Sequence, residues 1–271
     1  MEMHGIDWED AFANAAYIDG GADYTDRWAR EAEEFRRTAN AELDISYGPA
    51  PRERFDLFLP ATEPKGLALF VHGGYWVSFD KSSWSHLANG ALSSGWAVAL
   101  PSYTLAPDAR IHEITQAIGR AVTAAAGRVQ GPIRLAGHSA GGHLVSRMVC
   151  EDTPLDAATA NRISRVVSIS GLHDLRPLQL HSMNGLLKLD PKEAASESAA
   201  LLSPRPDIGI IAWVGARERP EFLRQSALIA EAWGRKGAGT NLIADPDRHH
   251  FDVVDGLTDP DHPLTRAFVG P

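Results

Sequence analysis

The sequence predicts an α/β protein: a doubly wound, mostly parallel sheet flanked by helices, with a helical segment at the N-terminal side. Three observations lead there. Short, nearly continuous apolar runs recur along the chain, as strands buried on both faces require. Helix-like segments separate them, and strand alternating with helix gives crossover connections of right-handed sense. No internal repeat, low-complexity stretch or Pro/Gly/Ser-rich linker divides the 271 residues, so a single domain over 1–271 is expected.

The elements follow in order. Residues 7–38, within an N-terminal extension 1–40, read as helical, with Trp28, Ala32 and Phe35 on one face. Whether this segment covers a pocket is left open. FDLFLP (55–60) alternates like a half-buried strand. LALFVHG (67–73), WAVALPS (96–102), IRLAGHS (133–139), RVVSISG (165–171) and IGIIAWVG (208–215) are the continuous runs. Helices are expected over 111–127, 140–150 and 220–235, the last with Leu223, Ala227 and Ala230 on one stripe. Ligands of such sheets sit beyond the carboxyl ends of the strands, where every polar residue of interest here also falls.

Composition narrows the function classes. The formal charge is −9, from 26 Lys+Arg against 35 Asp+Glu, with no basic stripe, which argues against nucleic acid and anionic membrane as partners. No apolar segment approaches the ~20 residues of a membrane span. MEMHGIDWEDAF is acidic where a signal peptide begins with basic residues. The one cysteine, Cys150, suits a reducing compartment. The expectation is a soluble, cytoplasmic protein.

RLAGHSAGGHL carries the chemistry. Gly-x-Ser-x-Gly alone is weak, but here a strand runs into the serine and a helix can start at once. Gly137 and Gly141 leave room for a turn that exposes the Oγ of Ser139. A serine needs a base, and the base needs an orienting acid, in the order Ser, acid, His. His143 lies on the helix after the serine, His173 comes too early and His262 sits in a proline-flanked tail. LIADPDRHHFDVV offers His249 and His250; His250 precedes Phe251, an apolar anchor, and is the expected base. GARERPEF puts Glu218 after a buried strand, while Glu221 begins a helix and Asp174 in SGLHDL remains a rival acid. LFVHGGYW supplies the amides of Gly74 and Tyr75, which with that of Ala140 can donate to a developing oxyanion.

With these residues in place, the chain resembles the α/β-hydrolases, and within them the kynurenine formamidase (arylformamidase) group and its bacterial esterase-like relatives. HGGYW (72–76) matches that group's His-Gly-Gly-x-Trp, and YGPAPRERFDLFLP (47–60), SYTLAPDARIHEI (102–114), GHSAGGHL (137–144), GARERPEFLRQS (215–226) and HFDVVD (250–255) extend the similarity. The resemblance implies Ser139 as nucleophile, Glu218 as acid, His250 as base, and an oxyanion hole around Gly73, Gly74 and Tyr75. Many members carry Asp where this sequence has Glu218.

The expected activity is therefore that of a serine hydrolase acting on an N-formyl aryl amide such as N-formylkynurenine, with a carboxylesterase on short acyl esters as the alternative. Trp76 and Tyr103 are expected to line an apolar pocket. No cofactor or metal is expected, since the sequence has no HExxH and no Cys-rich ligand set. The expected partner is the small ester or formamide substrate, and a homodimer is left open. A catalytically inactive binding module on the same scaffold is the competing class, and the intact triad and glycines argue against it.

Overall fold

The computed structural model describes residues 5–270. Met1–His4, part of the acidic start read above and of the extension 1–40, and Pro271 lie outside the described residues. The eight strands are β1 (Ala41–Ser46), β2 (Arg54–Phe58), β3 (Leu67–Val71), β4 (Ala97–Pro101), β5 (Ile133–His138), β6 (Ile163–Ile169), β7 (Ile210–Gly215) and β8 (Thr240–Asp245). They form one sheet in the order β1-β2-β4-β3-β5-β6-β7-β8. Only β1–β2 and β2–β4 pair antiparallel; the rest is parallel.

The helices are α1 (Trp8–Ala11), α2 (Tyr24–Thr38), α3 (Asn89–Ser93), α4 (Ile111–Ala126), α5 (Ala140–Arg147), α6 (Ala157–Arg162), α7 (Asn184–Leu187), α8 (Pro191–Ser196), α9 (Pro220–Gly234) and α10 (Pro263–Val269). None is long and apolar enough to cross a membrane. β3 shows why the central strands read as unbroken apolar runs. Leu67, Leu69 and Val71 pack into one core with α4 and α9, while Ala68 and Phe70 pack into a second core with Trp84 and Phe268 on the opposite face. Both faces are dry, so neither set of side chains can be polar.

One expectation changes, and two strands had no counterpart in the sequence reading. Residues 7–38 are not one helix: α1 ends at Ala11, and two 3₁₀ turns (Ala15–Tyr17 and Gly21–Asp23) intervene before α2. The chain is extended at Ile18 and left-handed at Gly20 (φ +67°), so the helix that stopped at Ala11 does not resume until α2. The edge strands β1 and β8 carry no apolar run because most of their side chains face solvent.

Strand register assembles the site. Val71 pairs with Gly137 and His138 with Ile169, so the segments after β3, β5 and β6 leave the sheet side by side. Gly215 pairs with Asp245, which sets the loops after β7 and β8 against each other. Arg217 N–H donates to Arg248 O across them at 2.9 Å.

Candidate active site

β5 stops at His138 and α5 starts at Ala140, leaving Ser139 alone in the turn at φ +54°, ψ −116°. A non-glycine residue there is strained and persists only when its surroundings fix it. They do so here: Ser139 N–H donates to Ile169 O at 2.8 Å, and Ser139 O accepts from His143 N–H at 3.1 Å. The turn is tight enough that a Cβ on Gly141 would lie 1.9 Å from Val71 O, and one on Gly137 2.2 Å from Gly141 O.

Beyond β7 and β8, His250 Nδ1 stands 2.6 Å from Glu218 Oε2. The other carboxylate oxygen accepts from Gly215 N–H at 2.9 Å and from the Ser170 hydroxyl at 2.5 Å. Both Glu218 and His250 are buried. The imidazole is clamped between the rings of Phe222 (4.3 Å) and His138 (4.6 Å), while His138 Nε2–H donates to His250 O at 2.9 Å. Burial holds the pKa of His138 well below the usual histidine range, so a neutral ring lies against His250.

The rivals are engaged elsewhere. Asp174 forms a two-pronged pair with Arg176 at 2.8 and 2.9 Å. Glu221 pairs with Arg224. His249 turns away, its Nε2 3.1 Å from the Tyr24 hydroxyl.

The loop after β3 winds through three successive left-handed residues: Gly74 (φ +103°), Tyr75 (+49°) and Trp76 (+60°). It lies so close to the elbow that a Cβ on Gly73 would be 3.0 Å from Ser139 Cβ. The backbone N–H groups of Gly74, Tyr75 and Ala140 donate to no acceptor among the described residues, which leaves them free for an oxygen from outside the protein. Gly74, Tyr75, Ser139 and His250 all line one cavity of about 560 Å³.

The pocket residues expected from the sequence are not in its walls. Trp76 is fully buried, edge-on to His143 at 5.2 Å, because the left-handed turn aims its indole inward. Tyr103 is fully buried under the His72 ring at 4.5 Å, its hydroxyl donating to His72 O at 3.1 Å. The aromatic wall is instead Trp28, Phe79, Trp84 and Phe251, and residues 13–25 complete it. Ser170 and His138 also escaped sequence reasoning. Their signal was position, since both stand at the carboxyl ends of central strands. Among the described residues no three His, Cys, Asp or Glu side chains converge as a metal site needs.

Residues 55–207, which include the elbow, match the family model BD-FAE. The chain belongs to the BD-FAE family. Its sheet and strand order make this member an α/β-hydrolase, and solved neighbours extend over nearly all of it. A candidate thioesterase from Silicibacter sp. is 52% identical, with a TM-score of 0.93 over 97% of this chain and 99% of its own. Esterase B from Lactobacillus rhamnosis shares the fold at 18% identity and a TM-score of 0.66, covering 90% of each chain. The kynurenine formamidase of Salmo salar is 27% identical over 88% of this chain and 84% of its own.

Proposed function

We propose that this BD-FAE member is a serine hydrolase that removes the formyl group from an aryl amine, with N-formylkynurenine as the model substrate. Ser139 Oγ attacks the formyl carbonyl and His250 takes its proton. Glu218 accepts from Nδ1–H, which leaves Nε2 as the basic nitrogen and stabilises the imidazolium that forms. The oxyanion is met by the N–H groups of Gly74, Tyr75 and Ala140, with the glycine at 73 allowing the close approach. His250 then protonates the departing aniline nitrogen, and water hydrolyses the formyl-serine. An aniline leaves more readily than an alkyl amine, so an esterase-like site can cleave this amide.

The observation that supports the reading most directly is the 2.6 Å contact between Glu218 and His250 at the cavity that Ser139 also lines. The similarity to a kynurenine formamidase over 88% of the chain favours the formamide. A second reading, hydrolysis of short acyl esters or thioesters, draws on the 52% identical candidate thioesterase. Among the described residues no Lys or Arg lines the cavity, which disfavours a phosphate-bearing thiol carrier inside it.

Comparing kcat/KM for N-formylkynurenine with that for p-nitrophenyl acetate and a short acyl thioester tests the assignment. Ester or thioester turnover without formamide turnover rejects the formamidase reading. Labelling by a fluorophosphonate, lost in Ser139→Ala, tests the serine mechanism itself.

A further inference from the structure

We infer that residues 13–25 form a fixed wall of the substrate site and select a flat aromatic leaving group; the inference rests on the serine-hydrolase reading above. The two 3₁₀ turns of this strap pack back to back, so close that a Cβ on Gly21 would meet Ala15 O at 2.7 Å. Ala15, Ala16, Ala22 and Thr25 are solvent-exposed and line the cavity, which places them around its mouth. Deeper in, Trp28 meets Trp84 at 4.6 Å, Phe251 at 5.4 Å and Phe79 at 5.9 Å, a continuous set of rings. Small side chains from the strap facing this cluster leave a slot that suits a planar ring. A cavity of about 560 Å³ is far larger than a formyl group, so the leaving group occupies most of it.

The strap is anchored and does not act as a lid. Phe12 is buried, and its carbonyl accepts from the Tyr75 hydroxyl at 2.7 Å. Asp10 pairs with Arg219, whose guanidinium also stacks on Tyr17 at 3.7 Å. Tyr24 contacts His249, and Arg27 pairs with Asp255 at 2.6 Å. Tyr75 belongs to the oxyanion loop, Arg219 follows Glu218 and His249 precedes His250, so the strap grips the immediate neighbours of the reacting groups. Held at these points, it fixes the width of the mouth.

The test uses the full chain with Ala16→Trp and Ala22→Trp, both at exposed positions where folding tolerates the change. The ratio of kcat/KM for N-formylkynurenine to that for methyl formate is measured, since the two share an acyl group and differ in the leaving group. We expect the ratio to fall at least about tenfold, carried mainly by KM, with Glu33→Trp on the outer face of α2 as the control. An unchanged ratio, or an equal fall for both substrates, overturns the inference.

If the unaltered protein cleaves phenyl acetate and not N-formylkynurenine, the formamide reading fails by itself. The same ratio taken with phenyl and methyl acetate then decides the role of the strap. Absence of any fluorophosphonate labelling overturns both readings.

Discussion

Acid should unfold this protein well before its carboxylates titrate. His72, His138, His143 and His173 are buried, and each has one ring nitrogen paired: with Gly73 O, His250 O, Glu197 O and Ser168 Oγ respectively. The second nitrogen of each ring is buried without a partner. Protonating it would put a charge and an orphan N–H into dry protein. Burial accordingly pushes His72 down to about 4, His143 and His173 to about 3, and His138 well below the usual range.

Above the ordinary histidine pKa of ~6.5 neither the folded nor the unfolded chain binds these protons, and stability is unaffected. As pH falls below it the unfolded chain takes up protons that the fold refuses, so stability drops until the folded values are reached. At pH 5.5 the loss is about 1.4 kcal/mol per ring and about 6 kcal/mol for the set, against a total of ~5–15 kcal/mol for a typical fold. Urea unfolding followed by far-UV circular dichroism at pH 7.5, 6.5 and 5.5 measures it. His143→Gln, which keeps a donor for Glu197 O, should flatten the slope by about one proton. Stability that stays within about 1 kcal/mol between pH 7.5 and 5.5 would refute the reasoning.

Glu218→Gln, which cannot hold the required tautomer, should lower kcat by roughly 10³–10⁴ with little change in KM, whereas Asp174→Asn loosens only the Arg176 pair and should keep kcat within about threefold. Steady-state kinetics on the two variants separate the acids, and the opposite ranking would reassign the role to Asp174. Gly141→Ala would drive a methyl to 1.9 Å from Val71 O and 2.7 Å from His72 O, so soluble folded protein should be lost. A native melting temperature for that variant would mean that the elbow is looser than its geometry implies.

The sequence was most legible where one requirement dominated. β3 and β4 are buried throughout and β5 to β7 along their carboxyl-terminal halves, so their apolar runs are nearly unbroken and their ends fall within a few residues of the expected positions. Ser139 and Glu218 follow β5 and β7, two of those strands, so order and spacing could nominate them; His250 follows the edge strand β8 and was legible only through the His-His-Phe of its loop. β1 and β8 went unseen because edge strands answer to water. The break inside residues 7–38 went unseen because helix-favouring residues run through it; α1 ends at Ala11, and extended Ile18 and left-handed Gly20 keep the chain off a helical path until α2. The cavity walls were misjudged for a different reason. Trp76 directly follows Tyr75 and Tyr103 stands at the carboxyl end of β4, but a left-handed turn rotates one inward and His72 covers the other. Trp28, Phe79, Trp84 and Phe251 are gathered from separate segments, and no local pattern announces such a convergence.

The anchoring of the strap has a kinetic consequence. Three of its ties join residues 209 to 228 positions apart: Asp10 with Arg219, Tyr24 with His249 and Arg27 with Asp255. Contacts of such separation carry the largest loop-closure cost, so late formation in folding is the expected order. Their partners, moreover, lie in or beyond the loop that leads from β7, so the mouth cannot close until nearly the whole sheet has assembled around it. If the strap selects the leaving group as proposed, that discrimination should return last in a refolding chain, after secondary structure and core burial.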